Sequence, residues 1–193
     1  MIADCTALIL AGGDSSRMGQ DKAGLLLDGS TLLQRVTTTM QEVFPKIIVS
    51  VRQPRAEVLL QQVCDAEADG GPLAGLVAGL AQVETPWMFA VACDMPFIQS
   101  AVIIRMAELR GEHDAVVPMI DGHPQPLFAF YAKQSMSMMR DALASGEKRV
   151  RAVLQKLDVR YVDEAELRNC DPQFRSFIDV DTPHDLKAAQ ELK

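Results

Sequence analysis

Residues 8–22 read Leu8-Ile9-Leu10-Ala11-Gly12-Gly13-Asp14-Ser15-Ser16-Arg17-Met18-Gly19-Gln20-Asp21-Lys22, an apolar run that ends at a glycine pair and opens into a polar loop carrying two cations. The run itself, residues 7–11, is continuous instead of alternating, the pattern of a strand covered on both faces of a parallel sheet. Residues 47–51 and 88–93 have the same character, and helical periodicity fills the gaps between the three. Over 31–44 the stripe is Leu32, Leu33, Val36, Met40 and Val43, with Ser30 as the expected cap. Pro72 suits a first helical turn, and Leu73, Leu76, Val77 and Leu80 follow at helical spacing with Gly75 and Gly79 on a small-residue face. Farther along, the pattern predicts helices over 98–109, 133–144, 150–157 and from Pro183, and strands over 115–119, 127–131, 159–162 and 177–180.

Strand and helix alternate, so the predicted class is α/β: three layers, a mostly parallel twisted sheet with helices on both faces. A chain of 193 residues can hide roughly 70% of its unfolded surface, enough for one sizeable core. No repeat, low-complexity tract or Pro/Gly/Ser-rich linker divides it, so residues 1–193 are expected to form one domain. The balance of 19 basic and 26 acidic residues gives net charge −7, which argues against general nucleic-acid binding. A phosphate ligand must then be met by a local cluster of cations. Four cysteines at 5, 64, 93 and 170 form no CxxC pair, and no stretch approaches ~18 apolar residues. With no basic segment ahead of the first apolar run, the expected location is the cytoplasm, away from membranes.

Ligands of open α/β sheets bind beyond the carboxyl ends of the strands, so the loop after the first strand is the first place to look. Its glycines permit close backbone approach, and successive amides there can form a concave anion site. Arg17 adds a planar fork and Lys22 a compact ammonium, a pair suited to polyphosphate oxygens. The spacing is not that of a Walker A loop: five residues separate Gly13 from Gly19, and Gln20 follows. GxGxxG is absent too.

Asp94 closes another apolar strand at the same sheet edge, where a carboxylate is costly to desolvate unless a cation offsets it. It suits Mg²⁺, which takes one or two carboxylates together with substrate phosphates; the alternative is a cap on the following turn. Asp179 and Asp181 would share one face of a strand, about 7 Å apart, and could complete a metal or acceptor site. Asp181 or Thr182 could equally cap the last helix, with Pro183 in its first turn. Lys148, Arg149 and Arg151, beside Gly146, form the densest basic cluster: either an anion site at a helix start or a solvated helix end. His123-Pro124 reads as a turn, His113 and His184 have no ligand partners at metal spacing, and Met136, Met138 and Met139 read as core filling.

The run Leu10-Ala11-Gly12-Gly13-x-Ser15-x-Arg17-Met18-Gly19-x-Asp21-Lys22 resembles the signature loop of nucleotidyltransferases related to the molybdenum cofactor guanylyltransferase, the MobA family. The resemblance continues at Gly71-Pro72-Leu73-Ala74-Gly75, Cys93-Asp94-Met95-Pro96-Phe97, Gly146-Glu147-Lys148-Arg149-Val150 and Asp181-Thr182-Pro183, in family order over nearly the whole chain. It implies a Rossmann-like nucleotidyltransferase domain and a Mg²⁺-dependent transfer of GMP from GTP to molybdopterin, the acceptor, with release of pyrophosphate. It also implies that Leu10, Ala11, Gly12, Gly13 and Lys22 cradle the nucleotide, that Asp65 reads the guanine edge with Asp69 competing, and that Asp94 holds Mg²⁺. Arg17, Lys22 and Asp94 are then the catalytic set, and transient contact with cofactor-delivery proteins or molybdoenzymes is implied.

The chain departs from that family where the guanylyl branch has asparagines and this sequence has Asp179 and Asp181, a pattern closer to the cytidylyl branch. Ser50 and Arg52 stand where the family has an asparagine beyond the second strand. Two other readings stay open: transfer of CMP to molybdopterin or of a nucleotide to a sugar phosphate, and a non-catalytic GTP-binding adaptor.

Overall fold

A computed structural model describes residues 1–12, 21–64 and 70–192. In chain order the elements are β1 (Cys5–Leu10), β2 (Leu26–Leu27), β3 (Ser30–Thr31), α1 (Leu32–Val43), β4 (Lys46–Val51), β5 (Gln61–Cys64), α2 (Gly71–Gln82), β6 (Trp87–Ala92) and α3 (Ser100–Glu108). There follow β7 (Ala115–Ile120), β8 (His123–Pro124), β9 (Phe128–Ala132), α4 (Met136–Ala144), α5 (Val150–Leu154), β10 (Val159–Val162), α6 (Glu164–Leu167) and α7 (Pro183–Glu191).

The main sheet runs β10-β7-β9-β6-β1-β4-β5, with β8 added to β7. Every neighbour pair is parallel except those of β9, which returns antiparallel between β6 and β7, and the short β7–β8 pair. The sheet is therefore mostly parallel, as predicted. The carboxyl ends of β5, β4, β1, β6, β7 and β10 consequently lie along one edge.

Both faces are covered, which is why the strand sequences are apolar without alternation. Cys5, Ala7 and Ile9 of β1 join a core with Leu33, Val36 and Met40 of α1 and Val102, Ile103 and Met106 of α3. Leu8 faces the other way, into a core with Leu73, Leu76 and Leu80 of α2 and residues of α4 and α5. Phe89 of β6 holds three rings together, with centroids 5.4 Å to Phe44, 5.1 Å to Phe128 and 4.8 Å to Phe130. That cluster fixes the strand that delivers Asp94.

A third, smaller apolar cluster joins the β2–β3 hairpin to α7 through Leu25, Leu27, Leu32, Val180 and Ala189. The hairpin turns at Asp28 and Gly29, both at positive φ (50° and 82°), as a two-residue type I′ turn demands.

Several expected boundaries shift for local reasons. Thr31, not Ser30, caps α1, because Gln34 three residues on completes a reciprocal box: Gln34 N donates to Thr31 Oγ1 at 3.1 Å and Thr31 N to Gln34 Oε1 at 2.9 Å. The helix expected over 133–144 begins as a 3₁₀ turn, Lys133–Ser135, before α4, and the one expected over 150–157 ends at Leu154. No strand forms over 177–180. Arg175–Phe177 is a 3₁₀ turn, and Val180 makes one backbone bond, its N donating to Asp94 O at 2.9 Å. The hairpin β2–β3, strands β5 and β8 and the short α6 were not anticipated.

The predicted small-residue face of α2 lies directly on β1. A Cβ at Gly79 would stand 2.4 Å from Leu8 Cδ2, and one at Gly75 would stand 2.7 Å from Leu10 Cδ2 and 3.0 Å from Ser50 Oγ. Leu8 is fully buried, so its methyls can move aside only by disturbing the packed core. Gly79→Val is expected to destabilise the protein by about 2 kcal/mol, the overpacking outweighing the gain in helix propensity, as read from the urea midpoint.

Candidate active site

The ends of β4, β1 and β6 are joined one residue past their ladders. Ala11 N donates to Ser50 O at 2.8 Å and Cys93 N to Leu10 O at 3.1 Å, so Ala11-Gly12 and Cys93-Asp94 leave the sheet side by side. Gly12 fits closely against the end of β4, where an added Cβ would lie 3.3 Å from Arg52 N. Lys22 opens a 3₁₀ turn, Lys22–Gly24, whose cap is Asp21; Asp21 Oδ1 accepts from Ala23 N at 3.2 Å. From there the Lys22 ammonium donates to Asp94 Oδ2 at 3.2 Å and to Asp181 Oδ1.

Asp181 reaches this position because it does not cap the last helix. Thr182 does, its hydroxyl accepting from Asp185 N at 3.2 Å while Asp185 Oδ2 accepts from Thr182 N at 2.7 Å. Asp181 N leans on the same Asp185 carboxylate at 3.2 Å, which leaves the Asp181 carboxylate turned toward Lys22. One ammonium thus draws together groups 72 and 159 residues away in sequence.

The trio is mostly enclosed, with side-chain exposures of 14% for Lys22, 17% for Asp94 and 34% for Asp181. Burial opposes the Lys22 charge, but the hydrogen bonds and charges of Asp181 and Asp94 outweigh it, and its pKa is raised. The Asp94 pKa is raised too, the reverse of what pairing alone would give. Burial is the largest cause and Asp181 adds to it, while Lys22 only partly offsets them. Burial, followed by repulsion from Asp181 and Asp94, raises Asp179 as well. Asp94 and Asp181 share the Lys22 ammonium, and Asp179 adds a third carboxylate beside them.

These carboxylates line a cavity of about 350 Å³ together with Ala92, Leu127 and Arg151. A neighbouring cavity of about 590 Å³, lined by Pro72, Lys148, Arg149, Arg151 and Gln155, shares Leu127 and Arg151 with it. A third, of about 510 Å³, is lined by Ala11, Gly12, Asp21, Arg52 and Arg55.

The basic cluster differs from its sequence reading in one respect. Glu147 already occupies the start of α5, its Oε1 accepting from Lys148 N at 3.0 Å and Arg149 N at 2.9 Å while its carboxylate also takes the Arg149 guanidinium. The Arg149 hydrogen bond and these amides lower the Glu147 pKa to about 2. The helix start therefore has its anion within the chain, and Lys148 and Arg151 are the cations left facing the cavities.

Leu10, Ala11, Gly12, Lys22 and Asp94 come together at one sheet edge. Gly13, Arg17, Asp65 and Asp69 lie outside the described residues. No three described His, Cys, Asp or Glu side chains form a cage that would hold a metal unaided. A carboxylate pair over a cavity still fits a hard divalent cation that draws its remaining oxygens from phosphate and water. The pairing of Asp181 with Lys22 and of Asp21 with Arg55 was not read from the sequence, because neither partner is at local spacing.

Residues 7–162 match the family model of the MobA-like NTP transferase domain. The chain is 37% identical over 189 residues to a probable molybdenum cofactor guanylyltransferase of Pelotomaculum thermopropionicum, covering 97% of this chain and 92% of that one. It is 34% identical to a molybdenum cofactor guanylyltransferase of Desulfosudis oleivorans, covering 96% and 94%. Among solved structures, molybdopterin-guanine dinucleotide biosynthesis protein A from Archaeoglobus fulgidus superposes with a TM-score of 0.87 at 26% identity, over 96% of this chain and 97% of that one.

The shifted carboxylates make a stability prediction. Asp179→Asn removes a charge that folding disfavours, so at pH 7 the nucleotide-free variant should be more stable by about 0.5 kcal/mol, a small figure because the site is half open to water. The gain is present above the raised Asp179 pKa and fades as pH falls through it toward the ordinary carboxylate value, where the wild-type side chain is neutral as well. Urea unfolding at pH 7 and pH 4 checks this; a destabilised variant at pH 7 would contradict it.

Proposed function

The chain belongs to the MobA-like NTP transferase domain family, and we propose that within it the protein is a molybdenum cofactor guanylyltransferase acting in the cytoplasm. It transfers GMP from GTP to the terminal phosphate of molybdopterin, producing the guanine dinucleotide and pyrophosphate. The relatives' names carry the base and the acceptor. The observation that carries the residue roles is the Lys22 ammonium bonded to Asp94 and Asp181, whose carboxylates line a cavity that shares Arg151 with a basic second one.

The acceptor phosphate is already an anion and a nucleophile, so the reaction needs alignment and charge stabilisation more than a general base. None of the three histidines lines either cavity. Lys22, its pKa raised by two carboxylates, stays protonated at neutral pH and serves as a donor to phosphate oxygens. Amides of Gly12 and Gly13, with Arg17, complete the triphosphate cradle, and Asp65 accepts from the guanine N1 and N2 hydrogens. Lys148 and Arg151 bind the acceptor phosphate, Arg151 standing between the two cavities. Asp94 with Asp181 would hold Mg²⁺, which would supply neutralisation of phosphate charge.

Asp179 and Asp181 keep a cytidylyl reading in play, and one experiment separates the readings. Pyrophosphate release is measured with each of the four NTPs, with and without molybdopterin. The expected result is turnover with GTP alone, dependent on molybdopterin; turnover with CTP alone would replace the base assignment, and binding without turnover would make the chain an adaptor.

Lys22→Ala should lower kcat by about 10²-fold, the loss typical of deleting one electrostatic stabiliser, as measured by pyrophosphate release. Chelation with EDTA should abolish turnover, and added Mg²⁺ should restore it.

A further inference from the structure

We propose that Arg55 is a positioning residue for Lys22, acting through Asp21: by holding the Asp21 carboxylate it fixes the turn from which the Lys22 ammonium reaches into the site. The inference rests on Lys22 being the phosphate-binding cation.

Arg55 lies in the loop between β4 and β5, and its guanidinium Nη1 is paired with Asp21 Oδ2. Asp21 uses its two oxygens for different tasks. Oδ2 takes Arg55, while Oδ1 caps the 3₁₀ turn at Ala23 N, one residue beyond Lys22. The Asp21 pKa is lowered chiefly by the Arg55 hydrogen bond, so the carboxylate stays charged well into acid. Glu57, at 3.7 Å, is a weaker second partner of the same guanidinium.

The arginine is itself anchored. Arg55 N donates to Gln62 Oε1 at 2.8 Å, and Gln62 Nε2 donates to Arg55 O at 2.8 Å and to Val58 O at 2.9 Å. Gln62 lies on β5, in register with Val49 of β4. An unbroken path therefore runs from the sheet edge through Gln62, Arg55 and Asp21 to Lys22 and on to Asp94 and Asp181.

The chemistry of lysine is why such a support matters. Its ammonium is a compact charge on a flexible four-carbon stem, so its position depends on its partners and on the backbone it leaves from. When phosphate oxygens enter and compete for the ammonium, Asp94 and Asp181 cease to define its place. The Asp21–Arg55 pair holds the base of the stem through that exchange. Asp21 is half exposed, so the pair contributes little to global stability. Its effect belongs to placement, where small displacements are expensive in rate.

The test uses the nucleotide-free protein, so it does not depend on the base, acceptor or metal. Reductive methylation of each lysine is followed by peptide mass spectrometry. In Arg55→Ala, Lys22 should be labelled about fivefold faster, with Lys46 and Lys133 unchanged as reporters of an intact fold. Asp21→Asn should match it, the double variant should add nothing further, and Arg55→Lys should recover part of the protection. Turnover then follows: in Arg55→Ala, kcat should fall about tenfold with KM for GTP little changed. Unchanged Lys22 labelling in Arg55→Ala, or single effects that add in the double variant, would overturn the proposal. Should labelling behave as expected while the wild-type protein turns over no nucleotide, the positioning stands and the functional reading falls.

Discussion

The Lys22 ammonium, set between Asp94 and Asp181, is the interaction on which the site depends, because it brings the functional side chains of three distant pieces of chain to one point. Asp94 arrives at the end of β6, fixed by the aromatic cluster around Phe89. Lys22 arrives on a capped turn after the first loop, and Asp181 on the approach to α7. Removing one member of an enclosed ion pair costs more than forming the pair gains, since the remaining charge has lost its water. Two further restraints share the load on the C-terminal segment: the bond from Val180 N to Asp94 O and the apolar cluster under α7.

The balance of charge around that ammonium is uneven. Asp94 and Asp179 are both held above the ordinary carboxylate range, first by burial and then by neighbouring carboxylates. A site in which anions crowd one another is primed for a cation arriving with its ligand. Across the shared wall of the cavities the sign reverses, with Lys148 and Arg151 facing inward and Glu147 neutralising Arg149. An acidic chain of net charge −7 thus keeps its positive potential local, where an anionic acceptor can be met without general affinity for polyanions.

The parts of the fold that could be read in the sequence are those where burial on both faces leaves a continuous apolar run, as in β1, β4 and β6, or a helical stripe, as in α1 and α2. The Gly75 and Gly79 face was visible because only the absence of side chains allows a helix to lie on a strand so closely. What escaped prediction depends on distant partners. The edge strand β5, Gln-Gln-Val-Cys, is polar because one side meets water, and its pairing with β4 supplies what its composition does not. The segment over 177–180 looked like a strand from its apolar residues, yet it has one backbone bond to Asp94 in place of a ladder. In the site, Lys22 and Asp94 were marked by local motif, whereas the role of Asp181 turned on whether it or Thr182 capped α7. Reciprocal bonding between Thr182 and Asp185 decides that in favour of Thr182.

That choice of cap bears on the charge carried at position 181. An amide at 181 could still accept a hydrogen bond from Lys22, but it would carry no charge to repel Asp94. The carboxylate strengthens the hold on Lys22 while raising the cost of keeping Asp94 ionised. It therefore shifts the site toward a state in which Lys22 remains committed until another cation takes over the neutralisation of Asp94 and Asp181. Under the proposed function, a nucleotide arriving with a divalent ion would offer both halves of that exchange: phosphate oxygens for the ammonium and positive charge for the carboxylates. Coupling of the two binding events would then follow from one charged side chain held in place by the cap on the residue after it.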